Sequence, residues 1–169
     1  RGLSGKIGQI LRETEVERQY LKLEITESAI MENAESVRKE DGEGVIAVLE
    51  ELRSLGVQLG IDDFGTGYSS LSRLYRFPID TLKIDQSFIK CMELVCEDSK
   101  PSASPCKIVR AIVTLAHTMG LDVVAEGIET KEQLAVLREL KCEFGQGFYF
   151  SEPIDAVKAE ALIAAQPQW

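Results

Sequence analysis

The chain has 169 residues, 44% of them hydrophobic, with 19 Lys+Arg against 28 Asp+Glu and a net charge of −9. That is enough apolar material for one domain with a real core, while the acidic balance excludes a broad basic surface for a nucleic-acid polymer and no apolar run approaches the ~18 residues of a membrane-crossing helix. The polar start of the chain lacks the apolar centre of a signal peptide, which points to a cytoplasmic protein.

Arg1 to Gln19 reads as loop and helix. Tyr20–Ile25 is strand-like, and Gly44–Leu55 carries apolar residues at helical spacing until Gly56 stops it. Val57–Asp62 is a second strand, Ser69–Tyr75 a short helix closed by Pro78, and Asp80–Asp85 a third strand. Lys107–Met119 is a long helix ending at Gly120, and Asp122–Glu126 a fourth strand. Thr130–Leu140 is a helix with Thr130 as N-cap. Phe144–Gly147 is a short fifth strand, and Asp155–Ala165 a last helix. Strand-helix alternation of this kind predicts βα units around a parallel sheet. The charged stretch Arg38–Glu43 and the Ser/Pro-rich stretch Cys96–Pro105 read as surface loops.

Four cysteines (Cys91, Cys96, Cys106 and Cys142) form no C-x-x-C, and with one histidine in the chain they read as free thiols of a reducing compartment rather than a zinc site. His117, inside a helical apolar pattern, reads as a packing or surface residue, with no nucleophile motif beside it.

The chemistry gathers at the strand ends. Glu24 and Glu27 close the first strand, Asp62 and Asp63 the second, Lys83 and Asp85 the third, Glu126 and Glu129 the fourth, and Gln146 the fifth. In a parallel barrel these ends share one face. Taken singly, each acidic residue is a helix cap or a solvated group, and Lys83 a surface lysine. Five strands ending this way in succession argue for a site. Converging carboxylates repel one another unless cations lie between them, and oxygen-only ligands suit hard ions such as Mg²⁺ or Mn²⁺. The loop Asp63-Phe64-Gly65-Thr66-Gly67 adds two glycines that permit close approach of a ligand, but no Gly-Lys-Ser/Thr follows, so it is not a P-loop.

Five segments together resemble the EAL family of cyclic di-GMP phosphodiesterases: LEITES (Leu23 to Ser28), IDDFGTGYSSL (Ile61 to Leu71), LKID (Leu82 to Asp85), VVAEGIET (Val123 to Thr130) and GQGFYFSEP (Gly145 to Pro153). The resemblance implies a modified TIM-type (β/α) barrel that opens cyclic di-GMP to linear pGpG with two Mg²⁺ or Mn²⁺ ions. It implies metal-ligand roles for Glu24, Asp62, Asp63 and Glu126, and for Lys83 the orientation or activation of the attacking water. It also implies that Glu27 anchors the glycine loop, that Glu129 supports the metal site, and that Gln146 lies near the substrate; Asp85 is grouped with these supporting positions. Such domains accompany diguanylate cyclase or sensory domains, so an upstream regulatory domain is a further expectation.

The departures carry expectations of their own. The family's naming Glu-Ala-Leu on its first strand and an Asn-Leu-Ser on its second, both sources of metal ligands, are not among the 169 residues. Glu160-Ala161-Leu162 spells the tripeptide but falls in the last amphipathic helix and is read as chance. Glu152 stands where the family often has lysine. Residues 1–169 therefore read as a single partial EAL domain, an incomplete parallel barrel lacking its first strands. It should hydrolyse cyclic di-GMP weakly or not at all by itself, and its open sheet edges should favour a homodimer. The alternatives are an inactive relative that senses cyclic di-GMP or binds a protein, and an unrelated metal-dependent barrel enzyme.

Overall fold

The structure is a computed structural model that describes residues 2–30, 42–67, 71–92, 105–167 and 169. Helix α1 (Leu3–Thr14) leads through a 3₁₀ turn at Arg18–Tyr20 into strand β1 (Lys22–Thr26). Then follow α2 (Gly42–Ser54), β2 (Gln58–Phe64), α3 (Leu71–Leu74), β3 (Thr81–Ile84) and α4 (Gln86–Lys90). The chain continues through α5 (Pro105–Thr118), β4 (Asp122–Glu126), α6 (Lys131–Glu139), β5 (Phe144–Gln146) and α7 (Ala156–Ala165). The five strands form one sheet in the order β1-β2-β3-β4-β5, every neighbouring pair parallel. This is the sequential parallel winding of a (β/α) barrel, with β1 and β5 at the two ends of the strand order among the described residues.

The sheet's two faces follow from the period of two along a strand. In register across the sheet, Ile25 pairs with Ile61, Ile61 with Leu82 and Leu82 with Val123. Ile61, Leu82 and Val123 are wholly buried. They form a row with Leu59, Ile84 and Ala125 on their own strands, all at 0% exposure. Helix α5 packs against this layer through Val109, Ile112, Val113 and Ala116, a run at helical spacing and buried throughout. Burying each such side chain contributes roughly 1.5–3 kcal/mol. The alternate positions, Glu24, Gly60, Asp62, Thr81, Lys83, Val124 and Glu126, face the other way.

Helix ends obey local chemistry. At the end of α5 the Leu121 N–H donates to Ala116 O and the Gly120 N–H to His117 O, with Gly120 at φ +73°. That is the paired-bond termination that glycine adopts without a Cβ penalty. Thr130 caps α6 as expected: its hydroxyl accepts from Gln133 N–H, and the Gln133 side chain accepts from Thr130 N–H. His117 is a surface-linking residue, its Nε2 2.9 Å from Glu143 Oε1, while Glu143 Oε2 accepts from Val123 N–H. Cys91 and Cys142 are free thiols.

Some boundaries differ from the sequence reading. Tyr20 belongs to the 3₁₀ turn rather than β1, and Gly42 and Glu43 belong to α2 rather than a loop. The rest of the Arg38–Glu43 stretch, residues 96–104 of the Cys96–Pro105 stretch, and residues 69–70 of the Ser69–Tyr75 helix lie outside the described residues.

Candidate active site

Lys83 is the hub. Its side chain is 8% exposed, on the polar-facing side of β3. The Nζ lies 2.6 Å from Glu24 Oε2, 2.6 Å from Glu126 Oε1 and 3.1 Å from Asp62 Oδ1. Four strands each supply one of these groups, and strand parity explains the convergence. Glu24, Asp62, Lys83 and Glu126 all occupy the alternate set that leaves the helix-facing layer to apolar residues. Burial by itself disfavours the ammonium, but the hydrogen bonds to Glu126, Glu24 and Asp62 outweigh it and hold the Lys83 pKa above its ordinary value. These three partners favour the ammonium form of the lysine.

Asp63 needs a different explanation, because regular alternation would send it to the face opposite Asp62. Two features turn it back. The pairing of β2 with β3 slips between Ile61 and Phe64, so that three steps along β2 match two along β3, a bulge. Asp63 also adopts φ +55°, a left-handed conformation that Asp tolerates better than most residues. The result is a compact group in which single carboxylate oxygens of Asp62, Asp63 and Glu126 lie within 4.8 Å of one another, each residue partly exposed. All-oxygen anionic donors at that spacing fit a hard divalent cation such as Mg²⁺ or Mn²⁺.

The loop after Asp63 is tied down from β1's end. Glu27, the first residue past β1 and 1% exposed, accepts the Gly65 N–H at 2.7 Å through Oε2. The Asp63 carbonyl accepts from Thr66 N–H at 3.3 Å and from the Thr66 hydroxyl at 2.8 Å, closing the turn.

The remaining candidates lie around this centre. Asp85 caps α4, its carboxylate accepting the Ser87 N–H at 3.0 Å, so its contact is with the helix end rather than the cluster. Beside Glu126 opens a cleft of about 250 Å³ whose wall includes Glu129, Gln146, Gln86, Lys90 and Phe148. Gln146 stands opposite Glu126 in the β4–β5 register. Glu129 lies 3.6 Å from Lys90, both about half exposed. Gln86, Lys90 and Phe148 were not legible as site residues in the sequence. The one available signal for Gln86 and Lys90 was that they follow LKID on a helix starting at the strand end.

A family model described as EAL domain matches residues 1–153. The chain is 46% identical over 146 residues to the cyclic di-GMP phosphodiesterase NbdA of Pseudomonas aeruginosa, covering 86% of this chain and 17% of NbdA. It superposes on the PaMucR phosphodiesterase in its c-di-GMP complex with a TM-score of 0.78 and 40% identity, covering 94% of this chain and 58% of that one. It also matches Klebsiella pneumoniae BlrP1 in a manganese/cyclic di-GMP complex, with a TM-score of 0.70 and 32% identity over 88% of this chain and 34% of that one. The protein is an α/β protein of the TIM-like barrel class. It belongs to the EAL domain family, and it spans about a fifth of the length of the curated relatives it matches.

Proposed function

We propose that this chain carries most of the catalytic centre of a cyclic di-GMP phosphodiesterase that opens the cyclic dinucleotide to linear pGpG. The observation that carries the reading is the Lys83 ammonium 2.6–3.1 Å from three carboxylates of three other strands, beside the Asp62–Asp63–Glu126 group. Family membership and the named activity of NbdA support it.

In this reading Asp62, Asp63 and Glu126 hold Mg²⁺ or Mn²⁺, with Glu24 as a further ligand, in a two-metal site. When bound, the ions lower the pKa of the attacking water and offset charge on the phosphate. Lys83 donates hydrogen bonds that orient the water and stabilise the anionic phosphoryl oxygens. Glu27 keeps the Asp63 loop in place. Glu129 and Gln146 shape the adjoining cleft, and Asp85 caps the helix that brings Gln86 and Lys90 to it. The protein works in the cytoplasm as part of a longer chain whose upstream region is regulatory or a diguanylate cyclase.

Turnover by residues 1–169 is expected to be slow, because the Glu-Ala-Leu and Asn-Leu-Ser positions are not among them. The test incubates the chain with cyclic di-GMP and Mn²⁺ and resolves pGpG by chromatography, with Glu126→Gln as control. Metal-dependent pGpG that vanishes in the control is the expected result. Binding without any product would favour a sensor, and neither binding nor product would overturn the reading.

A further inference from the structure

The position of Lys83 has a consequence beyond catalysis. Of the three carboxylates that it touches, Asp62 and Glu126 are also two of the three members of the compact oxygen group. The ammonium and a divalent ion would therefore draw on the same acceptors. Glu24 is the exception: it lies 2.6 Å from Lys83 and outside the Asp62–Asp63–Glu126 group.

We propose that Lys83 is a built-in rival of the metal, an internal counter-ion that keeps the carboxylate cluster assembled without metal and lowers its affinity for divalent cations. The inference rests on the reading of Asp62, Asp63 and Glu126 as metal ligands. Converging carboxylates on a half-buried face repel one another, and one ammonium at 2.6–3.1 Å from three of them offsets much of that repulsion. A cation entering the group must then share the Asp62 and Glu126 carboxylates with Lys83 and tolerate a like charge beside it.

Two consequences separate this from a purely catalytic lysine, whose removal would leave metal affinity untouched. Lys83→Met, which keeps length and removes charge, should bind Mn²⁺ at least tenfold more tightly than the parent chain. The same variant should be less stable than the parent without metal and should gain more in melting temperature when Mn²⁺ is added.

The experiment is isothermal titration of Mn²⁺ into the parent chain, Lys83→Met and Lys83→Arg, with thermal unfolding of each at zero and saturating Mn²⁺. Tighter binding by Lys83→Met, with Lys83→Arg remaining near the parent, supports the proposal. Equal or weaker binding by a folded Lys83→Met, with the parent binding normally, overturns it. A parent chain that binds no Mn²⁺ overturns the metal reading itself along with the inference, and the two failures are thus distinct.

Should Lys83→Met fold only with metal, that metal rescue is itself the predicted behaviour. Should it fold under neither condition, the parent chain decides. Its lysine ammonium groups are followed by nitrogen-15 resonance during titration with diamagnetic Mg²⁺. The slowly exchanging signal of the buried Lys83 should shift at stoichiometric metal, and a signal that stays fixed while Mg²⁺ binds overturns the proposal.

Discussion

Glu27 offers the sharpest test of how the site is held. It is 1% exposed, and its Oε2 takes the Gly65 N–H at 2.7 Å from a residue 38 positions away. Its Oε1 lies 3.0 Å from the point a Cβ on Gly67 would occupy, so the loop after Asp63 is wrapped closely over this carboxylate. Glu27→Ala removes a hydrogen bond to a charged acceptor, worth about 1.5–3 kcal/mol, and deprives the Gly65 N–H of its oxygen partner. Removing the buried charge also relieves its desolvation, so a net loss of about 2–3 kcal/mol is expected. At ~2–4 °C per kcal/mol for a chain of this size, the melting temperature should fall by about 4–12 °C. Glu27→Gln retains an acceptor without the charge and should lose about 1 kcal/mol.

The loss should also be local. If Glu27 pins the loop, the Gly65 amide should exchange with deuterium about tenfold faster or more in Glu27→Ala than in the parent, since tenfold corresponds to about 1.4 kcal/mol of opening free energy. Thermal unfolding by circular dichroism and residue-resolved exchange measure the two effects on one sample. An Ala variant that melts within about 1 °C of the parent, with unchanged Gly65 protection, would refute the anchoring argument.

Three other expectations follow from the same geometry. Asp63→Asn removes one of three carboxylates whose oxygens lie within 4.8 Å while keeping a side chain that tolerates φ +55°; without metal it should be more stable by on the order of 1 kcal/mol, and a lower melting temperature than the parent would count against it. Gly147→Ala would set a Cβ 2.1 Å from Ile128 O and 2.3 Å from Ile128 N, where only backbone could yield, so a loss on the order of 3 kcal/mol in urea unfolding is expected and an unchanged midpoint would show that the β5 loop is looser than described. Burial is the main cause that pushes the Cys142 thiol up from 9.0 to about 11, so its contribution to stability is complete below pH 9 and fades as pH rises towards 11; Cys142→Ser should flatten that alkaline decline, and iodoacetamide at pH 8 should modify exposed Cys91 before Cys142, as read by peptide mass mapping.

Much of the fold was legible because it is written in local chemistry. Apolar runs of four to seven residues, each bounded by a glycine, an aspartate or a capping threonine, are what parallel strands between helices require. Gly120 and Thr130 mark helix ends through their own backbone and side-chain bonds, and both do so in the structure. The start of α2 was not legible, because a charged stretch with a glycine has the composition of a loop. Tyr20 likewise looks like a strand residue by propensity, yet it is 74% exposed in a 3₁₀ turn. The bulge at Asp63 leaves no trace in a binary pattern: Ile-Asp-Asp-Phe reads the same whether its two aspartates share a face or not. Asp85 at a strand end and Asp85 at a helix cap are also one sequence, and only the Ser87 N–H at 3.0 Å distinguishes them. Lys90 carried only the weak signal of following LKID, since a lysine late in a short helix is ordinarily a solvated end group.

The division of the sheet into two faces explains why so acidic a cluster is tolerated. On the helix side, Leu59, Ile61, Leu82, Ile84, Val123 and Ala125 are wholly buried and join a continuous apolar layer with α5. That layer holds the sheet's buried apolar side chains. There, Glu24, Asp62, Lys83 and Glu126 occupy positions where apolar residues of similar volume would pack at no less stability, since paired charges out of water rarely repay their desolvation. The pairing itself is complete enough to prevent unfolding: the single lysine answers three carboxylates, and among the described residues no buried side-chain polar atom lacks a partner. A fourth acid, Asp63, is then added by a bulge and a left-handed residue, a backbone conformation that costs on the order of 1 kcal/mol outside glycine. Neither packing nor capping calls for that extra carboxylate. What it changes is the number of anionic oxygens in reach of one point, and that is the quantity on which capture of a divalent cation depends.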